Sequence, residues 1–316
     1  MKLAIFKKVA IVGIGLIGSS LARVLKQNGL CEEISVFDAN HDYMKKALDL
    51  GIADSFAQTA AAACRGADLT VLATPVGAYG ALTKEIVPGL KPGAIITDVG
   101  SIKKFAMEAI LPNIPKDSGI VYVPGHPVAG TEKSGPEAGF YELFEGRWCI
   151  LTPEAGVPDE AVQKIAEMWR SAKMRIDFMS AEHHDKVMAA VSHLPHLIAF
   201  SIVGTVADLE GYEQQEIIKY SASGFRDFTR IAGSDPTMWR DILLNNKTTI
   251  LELIQRFVED LIALERNIRW DEGDKLFELF ARNRKIRKEV IEAKQDAPEI
   301  LKLFQTGRGS DNKLAK

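Results

Sequence analysis

Apolar positions in the first half of the chain fall in short unbroken runs, separated by intervals with apolar residues at three- and four-residue spacing. The runs at 9–12, 34–37, 69–73 and 94–97 are continuous rather than alternating, as expected of strands covered on both faces. The intervals 16–27, 43–50, 79–87 and 102–110 carry the period of helices. Strand and helix in that rhythm predict an open, doubly wound parallel sheet with right-handed crossovers. Strands at 119–123 and 147–151 are expected to extend it, followed by a helix at 159–171 and a last strand at 174–178.

Beyond residue 180 the strand pattern stops. Ser180 reads as a helix N-cap with Glu182 in the first turn. The run 183–209 is long, mostly apolar and expected to bend at Pro195. Segments 241–269 and 275–293 carry apolar residues at helical spacing with charges between. The stretch 187–206 is too hydrophobic all round for an ordinary surface helix, which leaves two readings: a core helix of the second domain, or one that also builds a subunit interface. The polar end, 295–316, is expected to be a flexible tail.

Composition narrows the function classes. Lys and Arg total 39 against 42 Asp and Glu, a net charge of −3, so no overall basic field argues for nucleic acid or an anionic membrane. Three widely spaced cysteines, Cys31, Cys64 and Cys149, argue against a disulfide framework and fit a reducing cytoplasm. No window approaches the roughly 20 consecutive apolar residues of a membrane helix, and nothing at the N-terminus has signal-peptide form. The expectation is a cytoplasmic protein of two domains.

The first strand runs directly into Gly13-x-Gly15-x-x-Gly18, with Leu16 and Ile17 between the last two glycines. In that context Gly13 permits a tight turn, Gly15 lets the backbone approach a pyrophosphate, and Gly18 permits close helix–strand packing. The phosphates would sit on the helix N-terminus. The second strand ends in Asp38, 20 residues after Gly18, where a carboxylate can accept the adenosine ribose hydroxyls and repel a 2′-phosphate. That favours NAD over NADP. Thr74-Pro75 and Gly100-Ser101 follow later strands and should line the same crevice toward the nicotinamide half.

In "VYVPGHPVAGTEKSG" a single histidine, His126, stands in a glycine- and proline-rich stretch. On a loop at the ligand edge of the sheet it could accept a hydroxyl proton during hydride transfer; it could equally be a turn histidine bonding its own loop. The other histidines of interest are His183, His184, His193 and His196. His183 and His184 read as a solvated first turn. His193-x-x-His196 lacks the spacing and the carboxylate or cysteine partner of a zinc site, so no metal is expected. His196 is placed to touch a substrate. Arg226, Arg230 and Arg240 lie among aromatics and small residues, which suits at least one of them to a carboxylate; the alternative is surface pairing with Asp227, Asp235 and Asp241.

In order and spacing, GIGLIGSS, TDVGSIK, GHPVAGTEKSG, AVSHLPH and SGFRDFTRIAGSDPTMWRD resemble the prephenate/arogenate dehydrogenase family, and its cyclohexadienyl dehydrogenases in particular, over about residues 8–293. The resemblance implies NAD-dependent oxidative decarboxylation of prephenate, to 4-hydroxyphenylpyruvate, and/or of arogenate, to tyrosine, in tyrosine biosynthesis. It implies an α/β Rossmann-type doubly wound parallel-sheet domain (1–178), an all-α helical dimerisation domain (179–294) and a homodimer. By the same resemblance His126 is catalytic, with Ser101 beside it and the nicotinamide. His196, Arg230, Ser192, Thr131 and Gly130 bind substrate, with Glu132, Asp227 and Trp239 supporting them from behind. Ala222-Ser223-Gly224 departs from the glycine triplet common in the family at that wall. Neither a chorismate mutase domain nor a regulatory ACT domain is expected. Two competing readings are a β-hydroxy-acid-type dehydrogenase, which would centre on a lysine such as Lys103, and a non-catalytic NAD-binding sensor.

Overall fold

The computed structural model describes residues 4–208, 219 and 222–292. Six parallel strands form one sheet: β1 (Phe6–Val12), β2 (Cys31–Phe37), β3 (Ser55–Phe56), β4 (Leu69–Leu72), β5 (Ile95–Asp98) and β6 (Val121–Val123), in the order β3-β2-β1-β4-β5-β6. Register is anchored at the centre, where Val9 pairs with Ile34 on one side and Leu69 on the other. Strand period two sends Val9 and Ile11 into one core and Ala10 and Val12 into the other, which is why the strand reads as unbroken apolar sequence.

The helices α1 (Leu16–Gln27) and α6 (Asp159–Ser171) pack on the first of these faces, through Leu21, Leu25, Ile165 and Trp169. The second face is covered by α3 (Ala60–Cys64), α4 (Tyr79–Ile86) and α5 (Lys103–Ile110). Helix α2 (His41–Asp49) is capped by Asn40, whose side chain accepts from Asp42 N–H, and adds Met44 and Ala47 to the buried set.

Two sequence expectations change here. The strand after β6 does not extend the large sheet. Pro124 interrupts the chain, and β7 (Gly125–Pro127), β8 (Trp148–Leu151) and β9 (Arg175–Phe178) form a separate three-stranded sheet, antiparallel between β7 and β8 and parallel between β8 and β9. His126 therefore sits on an edge strand opposite Ile150, not on a loop. Pro127, which lacks an N–H, is tolerated because that strand lies at the sheet edge.

From Ser180 onward the described residues are helical: α7 (Ala181–Met188), a π-helical turn (Ala189–His193), α8 (Leu194–Ala207), α9 (Ser223–Thr229), α10 (Pro236–Asn245), α11 (Lys247–Arg269) and α12 (Gly273–Glu292). Helix continues through Pro195 because the wider π turn just before it absorbs the missing N–H and the ring's bulk. The predicted 241–269 helix is broken at Asn246 into α10 and α11. Leu209 and the expected tail, 295–316, lie outside the described residues, as do Tyr220 and Ser221.

The continuous helix Ala181–Ala207 corrects another expectation: with a mean hydropathy of 1.6 in its most apolar window, it is long and apolar enough to cross a membrane by length and composition, and only 22% of that window is buried within the chain. Its first turns are nevertheless committed to polar contacts with the sheet half, where Asp185 accepts the backbone N–H groups of Lys103 and Lys104 at the start of α5. Trp239 and Ile242 of α10 enter the second core of the sheet, tying the two halves together.

Candidate active site

The glycine turn after β1 is shaped by packing. Gly13 has φ +97°, and a Cβ there would lie 2.5 Å from the Ala73 carbonyl oxygen. A Cβ on Gly18 would lie 2.0 Å from the Gly13 carbonyl oxygen, so helix and strand touch backbone to backbone. At Gly15 a Cβ would meet nothing within 4 Å among the described residues. Gly15 is the N-cap of α1, without a side-chain cap and without an acid in the first turn. Ser19 is the first residue whose N–H bonds back to Gly15, so the N–H groups of Leu16, Ile17 and Gly18 precede the helix ladder. Open space, free donors and the positive end of the helix dipole make an anion cradle that fits a dinucleotide's phosphates.

Asp38 closes this cradle at the end of β2. Its Oδ2 accepts from Ile14 N–H (2.8 Å) and its Oδ1 from Asn40 N–H (2.8 Å). The carboxylate is thus oriented by backbone, and each oxygen keeps a lone pair for a ribose hydroxyl. Thr74 is half-buried and Pro75 exposed after β4; Ser101 is half-buried after β5, all at the carboxyl edge of the sheet.

Just beyond β6 lies an arrangement that the sequence reading missed. His126 Nδ1 is 2.8 Å from His184 Nε2, and His184 Nδ1 is 2.8 Å from Asp185 Oδ1. All three residues are buried. Asp185 also accepts the N–H groups of Lys103 (2.7 Å) and Lys104 (3.0 Å), capping α5 from another helix. The proton positions follow from the donors available. Asp185 accepts, so His184 carries its proton on Nδ1 and offers the Nε2 lone pair. His126 must then donate from Nδ1, which leaves its Nε2 with a free lone pair.

His184 was expected in a solvated turn with His183. His183 is exposed, but His184 is fully buried. The legible signal was the stripe Ala181, His184, Asp185 and Met188, spaced as one helical face, all of it buried. Burial holds His126 well below the ordinary histidine range, helped by the neighbouring His184, Lys103 and His193. The same desolvation lowers His184, opposed by its bond to Asp185.

Behind this chain His193 is also fully buried. Its Nδ1 lies 3.4 Å from the Asn246 amide, which also donates to the Asp185 carbonyl. Desolvation lowers its pKa to about 4. A buried neutral histidine makes stability pH-dependent in a definite direction. Above pH 6.5 folded and unfolded chains are both neutral at this residue and nothing is lost. As pH falls from 6.5 toward 4 only the unfolded chain takes up the proton, so stability should drop by up to about 3 kcal/mol. Urea midpoints at pH 7 and pH 5 check this; equal midpoints would contradict it.

A second group of residues lies on the helical side. His196 stacks on Trp239, with ring centroids 3.8 Å apart and planes at 22°. Its Nδ1–H donates to the Ser192 carbonyl (2.9 Å), so in the neutral ring Nε2 is the open position. Burial lowers its pKa, Arg230 adding to the effect against the opposing Ser192 bond. The indole Nε1 of Trp239 is buried and has no hydrogen-bond partner among the described residues.

Arg230, half of its side chain exposed, donates through Nη1 to Glu132 Oε2 at 3.2 Å, joining the helical half to the segment after β7. Asp227, expected to help orient it, is exposed and forms no ion pair with it among the described residues. Arg240 pairs with Asp241, and Arg226 is exposed. Gly130 is exposed, and Thr131 accepts the Lys133 N–H on its hydroxyl. Among the described residues no cluster of His, Cys, Asp and Glu could hold a metal ion.

A helix N-terminus that fits a dinucleotide's phosphates, at the carboxyl edge of a parallel sheet, and a buried histidine pair backed by an aspartate from the helical half are the equipment of a nicotinamide-dependent dehydrogenase. Comparison with known proteins agrees. The profile of the prephenate dehydrogenase nucleotide-binding domain matches residues 21–178, and that of the prephenate dehydrogenase dimerization domain matches residues 180–282. The cyclohexadienyl dehydrogenase of Zymomonas mobilis is 41% identical over 285 residues, covering 90% of this chain and 96% of that protein. The prephenate dehydrogenase of Bacillus subtilis is 33% identical, over 86% and 73% of the two chains. Among solved structures, prephenate dehydrogenase from A. aeolicus in complex with hydroxyphenyl propionate and NAD+ superposes with a TM-score of 0.84 at 35% identity, over 92% of this chain and all of that one. The chain belongs to the prephenate dehydrogenase family.

Proposed function

We propose that this protein catalyses the NAD-dependent oxidative decarboxylation of prephenate and/or arogenate, the step that makes the aromatic ring in tyrosine biosynthesis. The observation that carries the reading is the Asp185–His184–His126 chain, ending in an Nε2 lone pair at the ligand edge of a dinucleotide-binding sheet. The names of the relatives, and the A. aeolicus complex with NAD+, support it.

Gly13, Gly15, Leu16, Ile17 and Gly18 hold the pyrophosphate, Asp38 the adenosine ribose, and Thr74 and Pro75 border the nicotinamide half. Bound NAD supplies the hydride acceptor. As hydride leaves C4 of the cyclohexadienol, His126 Nε2 takes up the C4 hydroxyl proton, oriented by Ser101, and the C4–O bond gains carbonyl character. The C1–carboxylate bond breaks, its electrons enter the ring, CO2 departs, and the proton returns to the phenolic oxygen. Aromatisation provides the driving force, so the residues chiefly orient the substrate and hold one proton. A neutral imidazole is required, and burial keeps His126 in that form.

Arg230 binds a substrate carboxylate, with Glu132 holding the guanidinium in place. His196, Ser192, Thr131 and Gly130 complete the wall, and Trp239 fixes the His196 ring by stacking. A hydrogen bond to a charged group contributes about 1.5–3 kcal/mol, so Arg230→Ala should raise the substrate KM by about 10- to 150-fold. An unchanged KM would remove Arg230 from the site.

A second copy of the chain completes the molecule in this reading. Val203 on α8, Leu251, Val258 and Ile262 on α11, and Phe277 and Phe280 on α12 are exposed apolar side chains, and the family's name for this half is the dimerization domain. Pairing would bury the apolar face of the 181–207 helix in protein. The free cysteines fit a cytoplasmic protein.

The lysine-centred β-hydroxy-acid reading fares worse, because Lys103 is fully buried and bonded to Asp98 and the Gly125 carbonyl. Absorbance at the NADH band, with NAD and prephenate or arogenate supplied separately, tests the proposal. NADH should appear with at least one of them. Silence with both, from protein that binds NAD, would favour a sensor.

A further inference from the structure

Lys103 and Asp98 form an ion pair in which both side chains have zero exposure. Burying two charges costs solvation free energy that apolar side chains of similar volume would not lose, so such a pair is weak evidence of a purely stabilising role. Its bonds suggest another use. Asp98, at the end of β5, accepts on Oδ1 from the Tyr122 hydroxyl (2.7 Å) and Gly125 N–H (3.3 Å), and on Oδ2 from Gly100 N–H (2.9 Å) and Lys103 Nζ. Lys103 Nζ also donates to the Gly125 carbonyl. The two charges thus grip both polar groups of the residue directly before His126.

Lys103 holds the other end of the histidine chain as well, since its backbone N–H is the one that binds Asp185 Oδ1, the atom that orients His184. One residue therefore joins the support of His126 to the support of its partner. Gly125 has little freedom to shift: a Cβ there would lie 3.2 Å from the Asp98 carbonyl oxygen and 3.3 Å from Leu151.

We propose that Lys103, with Asp98 as its counter-ion, is a positioning residue that fixes the Gly125–His126 segment against His184 and sets a charged pair beside the residue that precedes His126. The inference rests on His126 being the proton acceptor. The ionisable groups around that ring are His184 and Asp185 from α7, Lys103 from α5, Asp98 from β5, His193 from the π turn and Cys149 from β8. Of these, Lys103 is the one basic group that is not a histidine. Its charge opposes protonation of His126, and protonation would abolish proton acceptance.

The test uses the full-length double variant Asp98→Asn/Lys103→Met, which leaves no unpaired buried charge. Far-UV circular dichroism and NAD affinity within about twofold of wild type would show that the cradle is intact. The expected result is a kcat at least 10-fold lower, a substrate KM within about threefold, and an acid limb of kcat/KM moved to higher pH. Wild-type kcat with an unmoved acid limb, whatever the melting temperature, would overturn the proposal. If the double variant does not fold, histidine 15N resonances of the wild-type protein decide: His126 protonated on Nδ1 only and still neutral at pH 6.5 supports the arrangement, and an Nε2-protonated or cationic ring at that pH overturns it. Should His126→Asn itself retain full turnover, the reading of His126 fails rather than the role of Lys103 in holding it.

Discussion

His126→Asn is expected to lower kcat by about two to four orders of magnitude, the usual contribution of a positioned general base, while substrate KM and NAD affinity change little. The asparagine amide can still donate to His184 Nε2, which accepts from His126 Nδ1 at 2.8 Å in the native protein, so the buried chain stays satisfied. What disappears is the lone pair at Nε2. A fall in kcat without a rise in KM identifies an interaction made in the transition state rather than in binding. The native pH profile belongs to the same expectation. Because the neutral ring is the working form and burial lowers its pKa, activity should persist below the ordinary histidine range near pH 6.5 and fail only as pH drops through the depressed value. Steady-state kinetics of both proteins from pH 5 to 9 check this; near-normal turnover of the variant would take His126 out of the chemistry.

The second large effect separates two glycines three residues apart. Gly18→Ala puts a methyl group 2.0 Å from the Gly13 carbonyl oxygen, so the turn or α1 must move. Overpacking of this kind costs about 1–3 kcal/mol or more, and melting temperature and NAD affinity should fall together. Gly15→Ala meets no side chain or distant backbone within 4 Å among the described residues, and the backbone there has φ −68°, outside the left-handed region. The fold should keep its stability. The methyl group would instead occupy the space that a pyrophosphate needs, so NAD binding should weaken by at least 10-fold. Calorimetric melting and NAD titration of the two variants check the contrast; Gly15→Ala binding NAD normally would move the phosphate site elsewhere.

How much of this was legible in the sequence depended on how locally each feature is determined. The central strands could be read because burial on both faces demands continuous apolar residues. Strand β3, two residues long, and α3, five residues of AAAAC, carry too little period to stand out. The second sheet was hidden because β7 is Gly-His-Pro, a turn by composition and a strand only through its pairing with β8. The glycine turn and Asp38 were visible because their geometry is set within one βαβ unit. His184 was overlooked for the opposite reason: its burial depends on the N-terminus of α5, some 80 residues away, which needs Asp185 as its cap. The link between Arg230 and Glu132, 98 residues apart, is likewise tertiary. The pairing of Asp98 with Lys103 sat inside TDVGSIK in plain view, but its burial is a property of three strands meeting.

The most direct test of the central claim is stoichiometry. Prephenate and arogenate labelled in the ring carboxylate should each be incubated with the protein and NAD, and NADH and released CO2 measured in the same vessel. The account expects one CO2 for every NADH with at least one of the two substrates. NADH formed without CO2 would mean a simple alcohol dehydrogenation, and would contradict it.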